Sequence, residues 1–268
     1  MNEWQEVPYP SSRRLTFDLG QNSLARHHVR ALLEVDVTEA RRRVRLAKKT
    51  GEHISFFAWL IKCTGDCVAA HPEVNGFNCE RRNTTALFKD VDIAIAVEKN
   101  VGGKLVPLPY VVRRSNEKGI DQILAEIEAA KAQDIRDEQD YVLGERYNAV
   151  ATKLFVALPQ WLRLVLTRAF FFSNPRLMKN AMGTVMITTV GMAGHARGWI
   201  IPFSMHPLCL AFGSLSEQAA VHKGAIERRE ILHLTVLIDH DVVDGMPAAR
   251  FVDDLVRRLE CGTGLLPR

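Results

Sequence analysis

Nowhere does this sequence gather its basic residues into a dense tract interleaved with aromatics. It holds 35 Lys and Arg against 31 Asp and Glu, a formal net charge of +4 over 268 residues. A nucleic-acid-binding stripe is therefore not expected. The arginines at 41–43 and lysines at 48–49 read as the solvated face of a helix. Cysteine is scarce and odd in number (Cys63, Cys67, Cys79, Cys209 and Cys261), with no CxxC pair. That excludes a CxxC thioredoxin-type motif and argues against a disulfide framework. Cys63 and Cys67 lie four apart in an apolar helical run and read as core packing. The chain opens MNEWQEVPYP, without a basic-then-apolar leader, so the expected setting is reducing and cytoplasmic.

Long uncharged apolar runs are missing too. The most apolar stretch, residues 151–172, is interrupted by Lys153, Arg163 and Arg168 and broken by Pro159, whereas a bilayer span needs about 20 apolar residues. From Leu158 onward, Gln160, Arg163 and Thr167 fall on one helical face, with Trp161, Leu162, Val165 and Ala169 opposite. This spacing predicts an amphipathic helix. Peripheral contact of 158–172 with a membrane is the lesser alternative to burial against protein. No HExxH or HxxxH helix, GxSxG elbow or GxxxxGK[ST] loop occurs, and the adjacent His27 and His28 do not form a ligand set. No metal site, serine hydrolase or P-loop is therefore expected. Repeats, low-complexity tracts and Pro/Ala-rich linkers are lacking.

Apolar residues make up 47% of the chain, enough for a sizeable core. Residues 1–25 read as an irregular arm and 31–37 (ALLEVDV) as a strand. Thr38 is the expected cap of a basic helix to Lys49, and Ser55 that of an apolar helix ending before Pro72. Strands are expected over 90–98 and 104–113, and an amphipathic helix over 119–133. Residues 134–140 (DIRDEQD) read as a solvated helix end, and 141–182 as helical pieces broken by Pro159 and Pro175. Strands then follow at 183–189, about 199–203, 209–214 and 231–240, before a closing helix over 246–260 striped by Ala249, Val252, Leu255 and Val256. The order fits one mixed α/β (α+β) domain spanning 1–268.

The chemistry concentrates in LTVLIDHDVVDGMPAAR, residues 234–250. A β-rich run delivers His240 to its end, Asp244 and Gly245 follow, and a helix begins at once. The three fixed positions of HxxxDG arise by chance in roughly 2% of chains this long, so the strand-to-helix context carries the weight. Imidazole titrates near neutrality and can take a proton from a nucleophile and return it. Full transfer from a thiol is uphill by roughly 2.7 kcal/mol, which stabilisation of the developing oxyanion offsets. Asp244 can hold the loop and Gly245 permits a tight turn. The alternative reading of His240 is a hydrogen-bonded core histidine.

DHDVVDGMPAARFVDDL resembles the C-terminal signature of 2-oxoacid dehydrogenase acyltransferase catalytic domains, commonly DHRxxDGAxxARFL, within the chloramphenicol acetyltransferase-like superfamily. EVDVTEARR, HPEVNGF, DVDIAIAVEKNVGGKLVPL, GTVMITTVGMAG and HPLCLAFGS are similar, in order, to five further family segments. The likeness implies a central mixed β-sheet flanked by helices, a homotrimer with active sites between subunits, and coenzyme A as acyl-donating or acyl-accepting substrate. His240 matches the catalytic histidine and Asp244 its acidic partner. Arg13, or its neighbour Arg14, matches an arginine that pairs with that acid; two solvated arginines is the alternative. Thr188 falls where the family has an oxyanion-stabilising serine. Threonine keeps the O–H donor but adds a stiffening methyl; Thr189 is the alternative donor, and a strand threonine chosen for β propensity the plain one.

Three departures qualify the likeness. No lipoyl domain, subunit-binding domain or linker is seen, so any covalent lipoyl group would sit on another chain and the acceptor is a small molecule or a carrier protein. Residues 141–182 form a helical insertion. Threonine replaces serine at 188. The expected activity is transfer of an acyl group between coenzyme A and a thiol, amine or hydroxyl. The alternative is a catalytically inactive trimeric scaffold or partner-binding subunit.

Overall fold

The computed structural model describes residues 4–5, 12–101, 104–133, 154–189 and 197–265. In chain order the elements are α1 (Ser12–Ser23), β1 (His28–Asp36), α2 (Thr38–Lys49), α3 (Phe56–Ala70), β2 (Gly76–Cys79), β3 (Thr84–Leu87), β4 (Ile93–Val101), β5 (Lys104–Val112) and α4 (Ile120–Ala132). After one helical turn at 154–157 come α5 (Gln160–Leu166), a π turn (Thr167–Phe171) and α6 (Pro175–Met182). The chain closes with β6 (Val185–Thr188), β7 (Leu208–His222), β8 (Ala225–Asp239) and α7 (Gly245–Cys261).

Six strands form one mixed sheet in the order β1-β8-β7-β6-β4-β5, with β2 and β3 as a separate hairpin. β6 runs parallel to β4 and β7, and the remaining pairings are antiparallel. Alternation along each strand puts Val35, Leu234, Val236, Leu210, Ile187 and Ile95 into one continuous core. Trp59 from α3 and Phe251, Leu255 and Leu259 from α7 cover that face, all fully buried. The buried stripe of α7 is thus centred on Phe251, Leu255 and Leu259, whereas Ala249 of the expected stripe is exposed. Gly262 ends α7 at φ 62°, the left-handed conformation that favours glycine.

Several local expectations are corrected. Residues 12–23 form α1, not an irregular arm. Thr38 does not cap α2: its hydroxyl donates to Asp36 Oδ1 at 2.6 Å and accepts the Glu230 N–H at 2.8 Å, tying α2 to β8. Ser55 holds the N-cap position of α3 without a capping bond from its hydroxyl. Residues 199–203 form no strand. Trp199 instead donates its indole N–H to Leu33 O at 2.9 Å and packs edge-on against His233. The Ser214 hydroxyl accepts the Gly198 N–H. Side chains therefore fasten this segment in place of a ladder. β7 and β8 run far beyond the expected 209–214 and 231–240, into a hairpin closed by Lys223 (φ 50°) and Gly224 (φ 83°). Positive φ at both turn residues is the signature of a two-residue type I′ turn, whose twist matches the strands.

The apolar face expected of 158–172 is not buried against the chain's own core in one protomer. Arg163, expected on the solvent face, is 4% exposed, while Trp161 and Val165, expected inward, are 67% and 54% exposed. A buried carboxylate decides this. Arg163 grips Asp18 of α1 through Nε at 2.5 Å and Nη2 at 3.0 Å, and also donates to the carbonyls of Val156 and Leu158. A bidentate, fully hydrogen-bonded guanidinium tolerates burial that a lone cation does not. The expected segments at 134–153 lie outside the described residues. No helix among those described is long and apolar enough to cross a membrane.

Candidate active site

β8 is buried without interruption from Leu232 to Asp239 and then releases the chain into a turn that carries His240 to the surface. Asp239 anchors that turn. Its carboxylate is wholly buried and accepts from Arg26 Nη1 at 3.3 Å, and its N–H donates to Pro207 O at 2.8 Å. The Asp239 carbonyl accepts from the N–H groups of Val242 and Val243, and the His240 N–H donates to His27 O at 3.0 Å. The neighbouring His27 Nδ1 lies 2.9 Å from Asp241. The imidazole thus rides on a backbone fastened on both sides while remaining exposed. It lines a cavity of about 480 Å³ formed by β1, β8 and α7.

Asp244 is the N-cap of α7, in extended conformation, and its carbonyl accepts from the Ala248 N–H. Its side chain is exposed, as is Arg13 on α1, and no ion pair joins the two among the described residues. The pair that holds the loop is Arg26 with Asp239. The only hint in the sequence was an arginine just before the strand whose register sets His28 opposite Asp239.

Thr188 is the last residue of β6 and is nearly buried. Register places it beside Ala211 of β7, which faces Thr235 of β8, so the three share a sheet face. His240 lies five residues beyond Thr235. That is roughly 16 Å along the strand, in addition to roughly 10 Å across two strand spacings. One protomer does not bring Thr188 and His240 together.

Two more histidines support the turn. His28 Nε2 donates to His206 O at 2.9 Å, and His206 Nε2 donates to Met182 O at 2.7 Å. Burial lowers the pKa of both, that of His206 to about 4, so the His206 ring is neutral near pH 7. They link the starts of β1 and β7 to the end of α6.

Cys67, His71 and Asp254 place a thiol, an imidazole and a carboxylate within 4.8 Å of one another, a group missed in the sequence. Asp254 already accepts from Arg258 Nε at 2.9 Å and lies 3.1 Å from His71 Nε2. Burial raises the Cys67 thiol well above its ordinary range. These contacts knot α3 to α7, with the Asp254 carboxylate shared between Arg258 and His71. Cys63 and Cys209 are likewise pushed up to about 12 by burial and are inert packing groups.

The family description "2-oxoacid dehydrogenases acyltransferase (catalytic domain)" matches residues 1–139 and 175–266. The unmatched stretch is therefore 140–174, and α6 belongs to the matched part, eight residues inside the expected insertion. The dihydrolipoyllysine-residue acetyltransferase component of the pyruvate dehydrogenase complex of Mycoplasma pneumoniae is 29% identical over 209 residues, covering 77% of this chain and 42% of that protein. Its Bacillus subtilis counterpart is 26% identical over 238 residues, covering 87% and 44%. The chain thus spans less than half the length of these curated relatives. Among solved structures, the cubic core of the pyruvate dehydrogenase multienzyme complex superposes with TM-score 0.65 at 22% identity, covering 96% of this chain and 92% of that one. Azotobacter vinelandii dihydrolipoamide acetyltransferase, studied for the catalytic roles of a serine, a histidine and an asparagine, gives 0.66 at 19% identity, with 96% and 92% covered. A chloramphenicol acetyltransferase gives 0.50 at 14% identity, with 94% and 96% covered. These likenesses establish the fold.

Proposed function

Because the chain belongs to the family of 2-oxoacid dehydrogenase acyltransferase catalytic domains, we propose that it moves an acyl group between coenzyme A and an acceptor thiol, amine or hydroxyl, at a site shared by neighbouring copies of a homotrimer. The observation that carries this reading is the separation of Thr188 from His240 within one protomer, on a sheet whose register fixes both. An imidazole and a hydroxyl on different copies can meet where those of one copy cannot.

In the proposed reaction His240 takes the proton of the acceptor thiol as its sulfur attacks the thioester carbon. Charge gathers on the carbonyl oxygen, where Thr188 of the adjoining copy donates its O–H. Collapse breaks the bond to the coenzyme A sulfur, and His240 returns the proton to that thiolate. Arg26 and Asp239 act as positioning residues, because they hold the turn and not the reactants. Asp244 starts α7 directly after the turn and fixes where the helix begins.

The test uses acetyl-CoA and dihydrolipoamide, with coenzyme A release followed by chromatography. His240→Ala should lower kcat by about 10²–10⁴-fold, and Thr188→Val by about 10²–10³-fold. Mixing the two variants after mild dissociation should restore activity, since mixed trimers hold one interface with both groups intact. Failure to regain activity despite mixed trimers forming, or full activity of His240→Ala, would sink the shared-site reading. No transfer by the native protein with any donor and acceptor would favour the non-catalytic scaffold.

A further inference from the structure

The cavity at His240 has a chemistry that acetyl transfer does not need. It lies between the sheet face of β1 and β8 and the first turns of α7. Its walls are aliphatic (Ala31, Leu33, Val236, Ile238, Val252 and Val256), and among its lining residues only His240 and Asp253 carry polar side chains. Asp253 is exposed and engaged with Arg257. A space of about 480 Å³ is within the range of small-molecule sites. It is also about three times the size of an apolar cavity of about 150 Å³ that stays dry and takes up benzene. The space is open to solvent on one side, and an alkyl chain lying along its aliphatic walls removes apolar surface from water.

We infer that this cavity receives the hydrocarbon chain of the acyl group, and that the preferred donor is a medium-chain acyl thioester, for which octanoyl-CoA is the probe. This rests on the acyltransferase reading and assigns its substrate class. The placement suits the chemistry. His240 is itself one of the lining residues, and apart from it and Asp253 the walls offer an acyl chain only apolar surface. Tight binding of the chain is expected to raise kcat/KM by up to about fourfold per buried methylene. The competing occupant is a set of side chains from the neighbouring copy, since Val29 and Ala249 at the rim are exposed in one protomer.

Rates of transfer from acetyl-CoA and octanoyl-CoA to dihydrolipoamide decide between them. In the native protein octanoyl-CoA should exceed acetyl-CoA in kcat/KM by at least tenfold. Filling the cavity from the strand with Ala31→Leu should cut that ratio at least tenfold. Ala249→Leu at the exposed rim should cut it in the same direction, and guards against misfolding of the first variant. Native protein that transfers acetyl while octanoyl-CoA neither reacts nor competes has the space filled by its neighbour; the inference falls and the acyltransferase reading stands. A ratio unmoved in both well-folded variants also overturns it. Absence of transfer from either thioester removes both readings together.

Discussion

His206 sits where β7 begins, with its ring buried, its Nε2 donating to Met182 O, and its pKa lowered to about 4 by loss of water. An unfolded chain would titrate this ring near pH 6.5. Between about 4 and 6.5 the unfolded state therefore binds the extra proton, and stability must rise with pH across that window. The contribution is whole above pH 6.5 and is lost on acidification toward 4, to the order of 3 kcal/mol. Denaturant unfolding of native protein and His206→Gln at pH 7, 6, 5 and 4 should show a shallower fall in the variant. Parallel curves would assign the acid sensitivity elsewhere. The ring's identity as a bound neutral donor could not be read from HPL in the sequence, because its acceptor lies 24 positions away on α6. By contrast His240 was legible, since its strand, its turn and the helix after it are consecutive.

At the scale of elements, the stretch 154–182 is held to the body by α1. Arg163 and Asp18 meet with side-chain exposures of 4% and 9%, and Arg14 adds a longer contact to Val156 O at 3.4 Å. Removing one member of a buried pair leaves the other uncompensated, at about 3–5 kcal/mol. Arg163→Met should accordingly loosen α5 and the π turn, giving at least tenfold faster proteolytic cleavage within 154–182. Unchanged cleavage would show that the apolar contacts alone hold the segment. Helical periodicity marked this segment as amphipathic but could not show that its arginine is buried. A period counts polar and apolar residues, and one arginine with a buried partner outweighs it. The strands of the core were easier, because runs such as LTVLID and DIAIAV admit few other structures. The outer half of the β7–β8 hairpin was missed because residues 216–230 are largely polar and contribute nothing to the core.

For the whole molecule, β1 is one of the two edges of the main sheet, the other being β5, and Leu32 on it is half exposed on the face shared with Thr235, Ala211 and Thr188. Under the proposed trimeric reading, this edge is where a second copy would pair. If the proposed trimer forms through this edge, Leu32→Arg shifts the sedimenting species from trimer to monomer and abolishes transfer, because each site then lacks its second half. A monomer with full activity would contradict a site built between copies. The 2-oxoacid dehydrogenase acyltransferase relatives match this chain on both sides of 140–174, so α5 and the π turn are additions carried outside the shared scaffold.

By itself the sequence determined what is local: which runs form strands and helices, the placing of His240 and Asp244 at a strand-to-helix junction, and the burial of Cys63 and Cys67. Such features follow from residue spacing over a few turns or a few strand positions. Tertiary structure alone decided that Arg26 pairs with Asp239, that Arg163 turns inward to Asp18, and that Thr188 and His240 lie far apart on strands separated by β7. Each of these depends on strand register or on a partner far away in the chain, and a charge reveals its partner only once the fold has set them side by side.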